Sequence, residues 1–126
     1  MKNANYSKKA LDHFFNPKNL GEMKGADLVG YAGNPQCGDT MKIFLKLNKD
    51  GTISKASFQT LGCAAAIATS DIICQMAEGK SLEEASRITK EEVVKALGTL
   101  PENKVHCADL ANKALISAIK KNEEKR

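Results

Sequence analysis

The stretch MKIFLKLNKDGTISKASFQTLGCAAAIA, residues 41–68, decides the fold because its hydrophobic period changes along its length. Its first seven residues largely alternate apolar and polar side chains, and this period of two predicts a β-strand. Asn48–Gly51 has the composition of a hairpin turn, so residues 53–61 are expected to return as the next strand. The alternation in that second strand is imperfect, which predicts a bulge near Lys55.

After Gly62 and Cys63 the apolar period becomes helical. Residues 64–78 place apolar side chains on one helical face, and Gly79 provides the expected stop. The positions that form this face are 64, 65, 68, 72, 73 and 76.

Shorter signals complete the secondary structure. Asn16-Pro17 ends an amphipathic helix, and capping boxes pair Ser81 with Glu84 and Thr89 with Glu92. The remaining predicted elements are helices at residues 7–15, 81–86, 89–98 and about 104–121, and a short strand at residues 28–31. We expect the last helix to bury positions 110, 111, 114, 115, 118 and 119.

The order of elements predicts an α+β fold. It is expected to be a small antiparallel sheet of about three strands with helices packed on one face. Residues 1–126 are interpreted as a single domain, and the polar residues 1–5 are expected to be flexible.

Composition narrows the function classes. The chain has 126 residues and a net charge of +4, with its lysines interleaved among acidic residues, which argues against a nucleic-acid partner. The apolar run at residues 64–68 is too short to span a membrane, and the N-terminus lacks the apolar core of a signal peptide. We therefore expect a cytoplasmic protein whose cysteines serve metal or sulfur chemistry rather than disulfides.

Three of the four cysteines lie at junctions between elements. Cys37 lies in a glycine-flanked loop before a strand, Cys63 joins a strand to a helix, and Cys107 follows His106 at the start of the last helix. If the hairpin pairs as predicted, Cys37 and Cys63 lie at the same end of neighbouring strands. A helix N-terminus stabilises a thiolate, which favours Cys63 and Cys107 as reactive groups.

Asp39 and His106 are candidate additional ligands beside those cysteines. Thiolates suit iron–sulfur clusters and zinc, whereas a permanent cluster usually has four cysteine ligands. Three cysteines with a carboxylate or an imidazole therefore predict a weakly held fourth position and a cluster that is transferable. Cys74 is interpreted as a buried apolar residue, and His13 as a surface or helix-packing residue.

Other functions remain open at this point. The site could hold structural zinc, or zinc that supports sulfur relay without any cluster. A hydrolase using zinc-bound water would require Asp39 to act as a base rather than as a ligand. A pure interaction module would leave the three junction cysteines without a purpose.

At these motifs the sequence resembles the iron–sulfur cluster assembly scaffolds of the IscU type and the N-terminal domain of NifU. The resemblance covers nearly the whole chain. Its motifs are Tyr6-Ser7 with Asp12-His13-Phe14 and Asn16-Pro17, Gly33-Asn34-Pro35 through Cys37-Gly38-Asp39 and Met41-Lys42, Gly62-Cys63-Ala64 with Ile67-Ala68-Thr69-Ser70, and His106-Cys107 with Leu110-Ala111.

The resemblance implies a carrier rather than an enzyme. Cys37, Cys63 and Cys107 match the family's cluster or zinc ligands, and Asp39 and His106 match the auxiliary ones. A cysteine desulfurase would deliver sulfur as a persulfide, with Cys107 as the preferred acceptor. An iron donor would supply iron, and a transient 2Fe–2S cluster would pass to apo-proteins from a monomer or homodimer. Zn²⁺ is an expected occupant of the same site.

Two departures from the family pattern affect the expected partners. Leu100–Lys104 reads Leu-Pro-Glu-Asn-Lys, whereas the family's chaperone-recognition segment reads Leu-Pro-Pro-Val-Lys, so recognition by an Hsp70-type chaperone is in doubt. The chain also lacks the insertion between the first two cysteine motifs that marks the branch dedicated to zinc-dependent sulfur transfer.

Overall fold

A three-stranded antiparallel sheet supports the helices in the computed structural model of this chain, which describes residues 6–34, 39–101 and 104–124. The strand order is β1-β2-β3, as expected for consecutive hairpins. The elements are α1 (Lys8–Phe15), β1 (Leu28–Asn34), β2 (Asp39–Leu47), β3 (Ile53–Leu61), α2 (Ala64–Ala77), α3 (Leu82–Ser86), α4 (Lys90–Leu97) and α5 (His106–Glu124).

The pairing of β2 with β3 confirms the predicted hairpin and its bulge. Lys46 pairs with Lys55, but Leu47 pairs with Ile53, so Ser54 is an extra residue on β3. Ser54 and Lys55 are consecutive exposed residues, which explains the break in the alternation. The turn glycine, Gly51, has a φ of +89°, a conformation that other residues rarely adopt.

The helices pack on one face of the sheet, as predicted. Met41, Ile43 and Leu45 point into the core and are at most 1% exposed. On the neighbouring strand β1, Gly30 lets the backbone of α5 approach closely. A Cβ atom at Gly30 would lie 2.1 Å from the backbone nitrogen of Ala118, so a side chain there would force α5 away from the sheet.

Helix α2 is buried on more sides than the sequence indicated. The prediction of a single apolar face was too narrow, because Thr69, Ser70 and Asp71 are also fully buried. The reason is that α2 lies at the centre of the fold, in contact with α1, α4, α5, β2 and β3. A helix surrounded in this way has little solvent-facing surface on which to place its polar residues.

Capping explains where the remaining helices start. Both predicted capping boxes are present, at Ser81 with Glu84 and at Thr89 with Glu92. Helix α5 starts at His106, two residues after the predicted start, and extends to Glu124. Its six predicted inner positions are all buried.

The start of α1 is attached to the end of α4. Ser7 caps α1 by accepting a hydrogen bond from the N–H of Ala10 at 3.0 Å. The Ser7 hydroxyl donates to the carbonyl of Leu97, and its N–H donates to the carbonyl of Thr99 at 3.0 Å. These bonds fix the N-terminal helix beside the segment that leads towards α5.

Among the described residues, no helix combines the length and the apolar character needed to cross a bilayer. The predictions for residues 1–5 and for Cys37 concern residues outside the described ranges.

Candidate metal-binding and sulfur-binding site

Two of the predicted site cysteines meet where α2 and α5 begin. Cys63 is the N-cap residue of α2, and Cys107 is the second residue of α5. Their sulfur atoms lie 3.9 Å apart, although the residues are 44 positions apart in the sequence. Both cysteines are free thiols, so the pair has the donor atoms to hold one metal ion or to share a sulfur atom.

The Cys63 thiol is strongly acidified. A hydrogen bond from Cys107 is the largest cause, and it lowers the pKa of Cys63 from 9.0 to about 5 against the opposing effect of burial. The N–H groups of Ala66 and Ala65 in the first turn of α2 lower the pKa further, although neither forms a formal capping hydrogen bond with the sulfur. Cys63 is therefore a thiolate at neutral pH.

His106 adds an imidazole to this pair. Its Nε2 atom lies 3.8 Å from the sulfur of Cys107. In the part of the chain that the structure describes, no group of three or more His, Cys, Asp or Glu side chains has the arrangement of a complete metal site. The described donors are thus two thiols and a neighbouring imidazole.

The backbone brings the start of β2 towards this end of the molecule. Thr40 pairs with Leu61, two residues before Cys63. Asp39, the first residue of β2, therefore lies at the edge of the sheet from which α2 departs. The side chain of Asp39, like Cys37, lies outside the described part, so their roles as ligands stay predictions.

Sequence reasoning missed two residues that are coupled electrostatically to Cys63. The Lys104 ammonium group contributes to the lowered pKa of Cys63. Burial and the neighbouring charge of Cys63 raise the pKa of the Tyr6 phenol. No local pattern could reveal these effects, because Tyr6 and Lys104 are 57 and 41 positions from Cys63 in the sequence.

His13 packs α1 against α2, which is one of the two roles that the sequence indicated. The prediction of a surface position is wrong, because His13 is 8% exposed and contacts α2. Its Nδ1 atom lies 2.6 Å from Oδ2 of the fully buried Asp71. The other carboxylate oxygen of Asp71 accepts hydrogen bonds from the N–H groups of Lys18 and Asn19. His13 therefore belongs to the packing of α1 on α2.

Cys74 is a core residue, as predicted. It is 1% exposed and lies in the last turn of α2. Burial raises the pKa of its thiol well above the ordinary value, and the nearby carboxylates of Asp71 and Glu78 raise it further. Its thiol is therefore protonated and enclosed.

Comparison with known proteins gives a consistent result. Residues 5–126 match the family profile described as the NifU-like N-terminal domain. The chain is 54% identical over 114 residues to the iron–sulfur cluster assembly scaffold protein IscU 1 of Archaeoglobus fulgidus, spanning 90% of this chain and 74% of that protein. It is 41% identical over 124 residues to the Escherichia coli scaffold protein IscU, spanning 96% of each.

Among solved structures, the fold resembles the N-terminal part of a nitrogen-fixing NifU-like protein from Brucella abortus. The TM-score is 0.75 and the alignment covers 99% of each chain, at 22% sequence identity. This likeness supports the α+β fold described above.

Proposed function

The chain belongs to the NifU-like N-terminal domain family of iron–sulfur cluster assembly scaffolds, and on that premise we propose that it assembles a transient 2Fe–2S cluster and passes it to apo-proteins. The cluster is cargo, and the protein is a carrier rather than a catalyst. Cys37, Cys63 and Cys107 are its proposed thiolate ligands, and Asp39 or His106 supplies the fourth position.

The sulfur pair is the observation that carries this proposal. Cys63 and Cys107 hold their sulfur atoms 3.9 Å apart, and the pKa of Cys63 is lowered to about 5. Iron–sulfur clusters are bound through thiolates. A site with a preformed thiolate avoids the cost of removing that proton when iron arrives.

Sulfur delivery is proposed to use both cysteines in turn. Cys107 is fully buried, whereas Cys63 is partly exposed. The Cys63 thiolate attacks the terminal sulfur of a desulfurase persulfide, forming a persulfide on Cys63 and releasing the desulfurase cysteine as a thiolate. Cys107, once deprotonated, then takes that terminal sulfur and regenerates the Cys63 thiolate. An external electron donor must supply two electrons to reduce the transferred sulfur to sulfide.

The fourth ligand is proposed to make the cluster transferable. A carboxylate holds iron less firmly than a thiolate does and is released on protonation. We expect Asp39→Ala to slow transfer of the cluster to an apo-ferredoxin and to lengthen the life of the bound cluster. An unchanged transfer rate, followed by circular dichroism of the ferredoxin cluster, would remove Asp39 from this role.

Anaerobic reconstitution tests the function as a whole. The protein is mixed with ferrous iron, cysteine and a cysteine desulfurase while the visible spectrum is recorded, and an apo-ferredoxin is then added. Sulfur-to-iron charge-transfer bands should form on this protein and then move to the ferredoxin. Cys63→Ala should abolish the stable bands, whereas Cys74→Ala, a change on the same helix away from the sulfur pair, should preserve them.

Failure of those bands under conditions in which a known scaffold succeeds would contradict cluster assembly. The alternative of a zinc-binding protein would then replace it, because two thiols and an imidazole are donor types that Zn²⁺ accepts. Tight binding of one Zn²⁺ that depends on Cys63 and Cys107 would support that alternative.

The proposed partners follow from this chemistry. They are a cysteine desulfurase, an iron donor and apo-proteins that receive the cluster, in the cytoplasm. The altered Leu100–Lys104 segment keeps an Hsp70-type chaperone outside the proposed set. A cluster can also bridge two copies of the chain, so both monomer and homodimer fit the proposal.

A further inference from the structure

A buried hydroxyl links the two helices that carry the sulfur pair. Thr69, in the middle of α2, is fully buried. Its Oγ1 atom lies within donating distance of three carbonyl oxygens: that of Ala65 at 2.7 Å, that of Ala66 at 3.2 Å and that of Cys107 at 3.3 Å. The first two belong to α2, and the third belongs to the first turn of α5.

The three acceptors connect this hydroxyl to both cysteines. Ala65 and Ala66 form the turn of α2 that directly follows Cys63, and their N–H groups help to acidify that thiol. The third acceptor is the main chain of Cys107 itself. Because a hydroxyl has one proton, the three carbonyls share it, and the sharing requires all of them to stay close to Oγ1.

We propose that Thr69 is a positioning residue that fixes the distance between the sulfur atoms of Cys63 and Cys107. The Thr69 hydroxyl acts through the main chain that carries each cysteine. Holding the first turns of α2 and α5 in register keeps the two sulfurs ready to bind one atom together. The reason for such positioning rests on the proposed function, but the distance between the two sulfur atoms can be tested without any cluster.

Ser70 provides a matched control on the same helix. Its hydroxyl is also fully buried, and it donates to the carbonyl of Ala66 at 2.7 Å. Its other partner is the sulfur of Met41 in β2, at 2.9 Å, rather than any group of α5. Removal of the Ser70 hydroxyl therefore disturbs the same buried helix without touching the link to Cys107.

Phenylarsine oxide is a suitable probe, because its single arsenic atom binds two thiols only when their sulfurs are held close together. Its affinity would be measured by competition with a small dithiol, in a Cys37→Ser background that leaves Cys63 and Cys107 as the available pair. We expect Thr69→Val, which keeps the side-chain shape, to weaken capture about 5- to 10-fold, consistent with the loss of one buried hydrogen bond. Thr69→Ser should restore capture to within about 2-fold, and Ser70→Ala should stay in that range.

Thermal unfolding of each variant separates positioning from general destabilisation. Capture by Thr69→Val within about 2-fold of the parent would overturn the proposal, and so would an equal loss in Ser70→Ala. If Thr69→Val does not fold, the comparison of Thr69→Ala with Thr69→Ser decides in the same way, and equal capture by those two would overturn it. A protein that shows the expected capture pattern but forms no cluster would contradict the proposed function and leave the positioning role intact.

Discussion

Two cysteines of helix α2 differ in their chemistry: Cys63 is its N-cap residue, and Cys74 lies in its last turn. The two thiols are eleven positions apart, yet their acidities move in opposite directions. The pKa of Cys63 falls to about 5, chiefly through the hydrogen bond from Cys107. The pKa of Cys74 rises well above its ordinary value, chiefly through burial. The same helix therefore contains a reactive thiolate and an enclosed thiol.

The difference shows that the surroundings of a cysteine set the pKa of its thiol. At its first turn a helix has N–H groups without partners in the helix, and these favour a negative charge. In the last turn of this buried helix the N–H groups are already bonded within the helix, so a thiolate would face apolar packing and the carboxylate of Asp71. The cysteine at the start of α2 is therefore reactive, whereas the buried Cys74 contributes only to packing.

The largest expected contrast is in alkylation. In metal-free protein at pH 7, iodoacetamide should modify Cys63 at least about 1000-fold faster than Cys74, because reaching Cys74 requires opening of a fold that is stable by about 5 kcal/mol or more. The rate at Cys63 should stay nearly constant from pH 8 to pH 6 and fall as the pH drops through about 5, where the thiolate becomes protonated. Peptide mapping by mass spectrometry gives both rates, and a Cys63 rate that falls tenfold between pH 8 and pH 7 would contradict the assigned acidity.

The second-largest effect is expected from removal of the buried carboxylate of Asp71 in the middle of α2. Asp71→Ala should lower the free energy of unfolding by about 3–5 kcal/mol, since it leaves His13 and the N–H groups of Lys18 and Asn19 without their acceptor. Urea unfolding measures the change. Asp12→Ala, on the exposed side of α1, should cost no more than about 0.5 kcal/mol. Equal losses in the two variants would mean that the middle of α2 is less important for stability than we infer.

A smaller effect is expected when the partner of the reactive thiolate is removed. Cys107→Ala should reduce the alkylation rate of Cys63 at pH 6 about tenfold, because the pKa of Cys63 should rise by about two units once the main hydrogen-bond donor is gone. Cys107→Ser retains a donor and should lose less. The idea that Cys107 acidifies Cys63 fails if the midpoint of the Cys63 pH profile stays near 5 in the alanine variant.

The smallest effect is expected at Cys74 itself. Cys74→Ala should lower stability by about 1 kcal/mol through the small cavity that it leaves. Cluster formation and transfer should match the parent protein, because Cys74 lies among core side chains. Chemical denaturation measures the change in stability, and the ferredoxin transfer assay measures cluster transfer. Loss of cluster transfer in a stably folded Cys74→Ala protein would show that the thiol does more than pack.

Sequence periodicity was sufficient to predict the sheet, the hairpin bulge and the capped helices, because each depends on residues that are neighbours in the chain. It was not sufficient for α2. The burial of Asp71 depends on a histidine 58 positions away, and no local pattern marks that pairing. Periodicity therefore assigned too little of this helix to the core.

The candidate site divides in a similar way. The junction positions of Cys63 and Cys107 identified them as ligand candidates, and the structure brings their sulfurs together. The acidity of Cys63 depends on Cys107 and Lys104, which approach it only after α5 has packed. The sequence could thus indicate which residues are ligand candidates, whereas the lowered pKa of Cys63 could be found only from the tertiary structure.

The attachment of Ser7 to the end of α4 has a consequence for the order of folding. The hydroxyl of Ser7 and the carbonyl of Leu97 are 90 positions apart in the chain, whereas only four residues separate β1 from β2 and five separate β2 from β3. Closing a long loop costs more entropy and slows folding. We therefore expect the meander of strands to form early and the N-terminal helix to dock late. During synthesis these bonds of Ser7 can form only after Leu97 and Thr99 have left the ribosome.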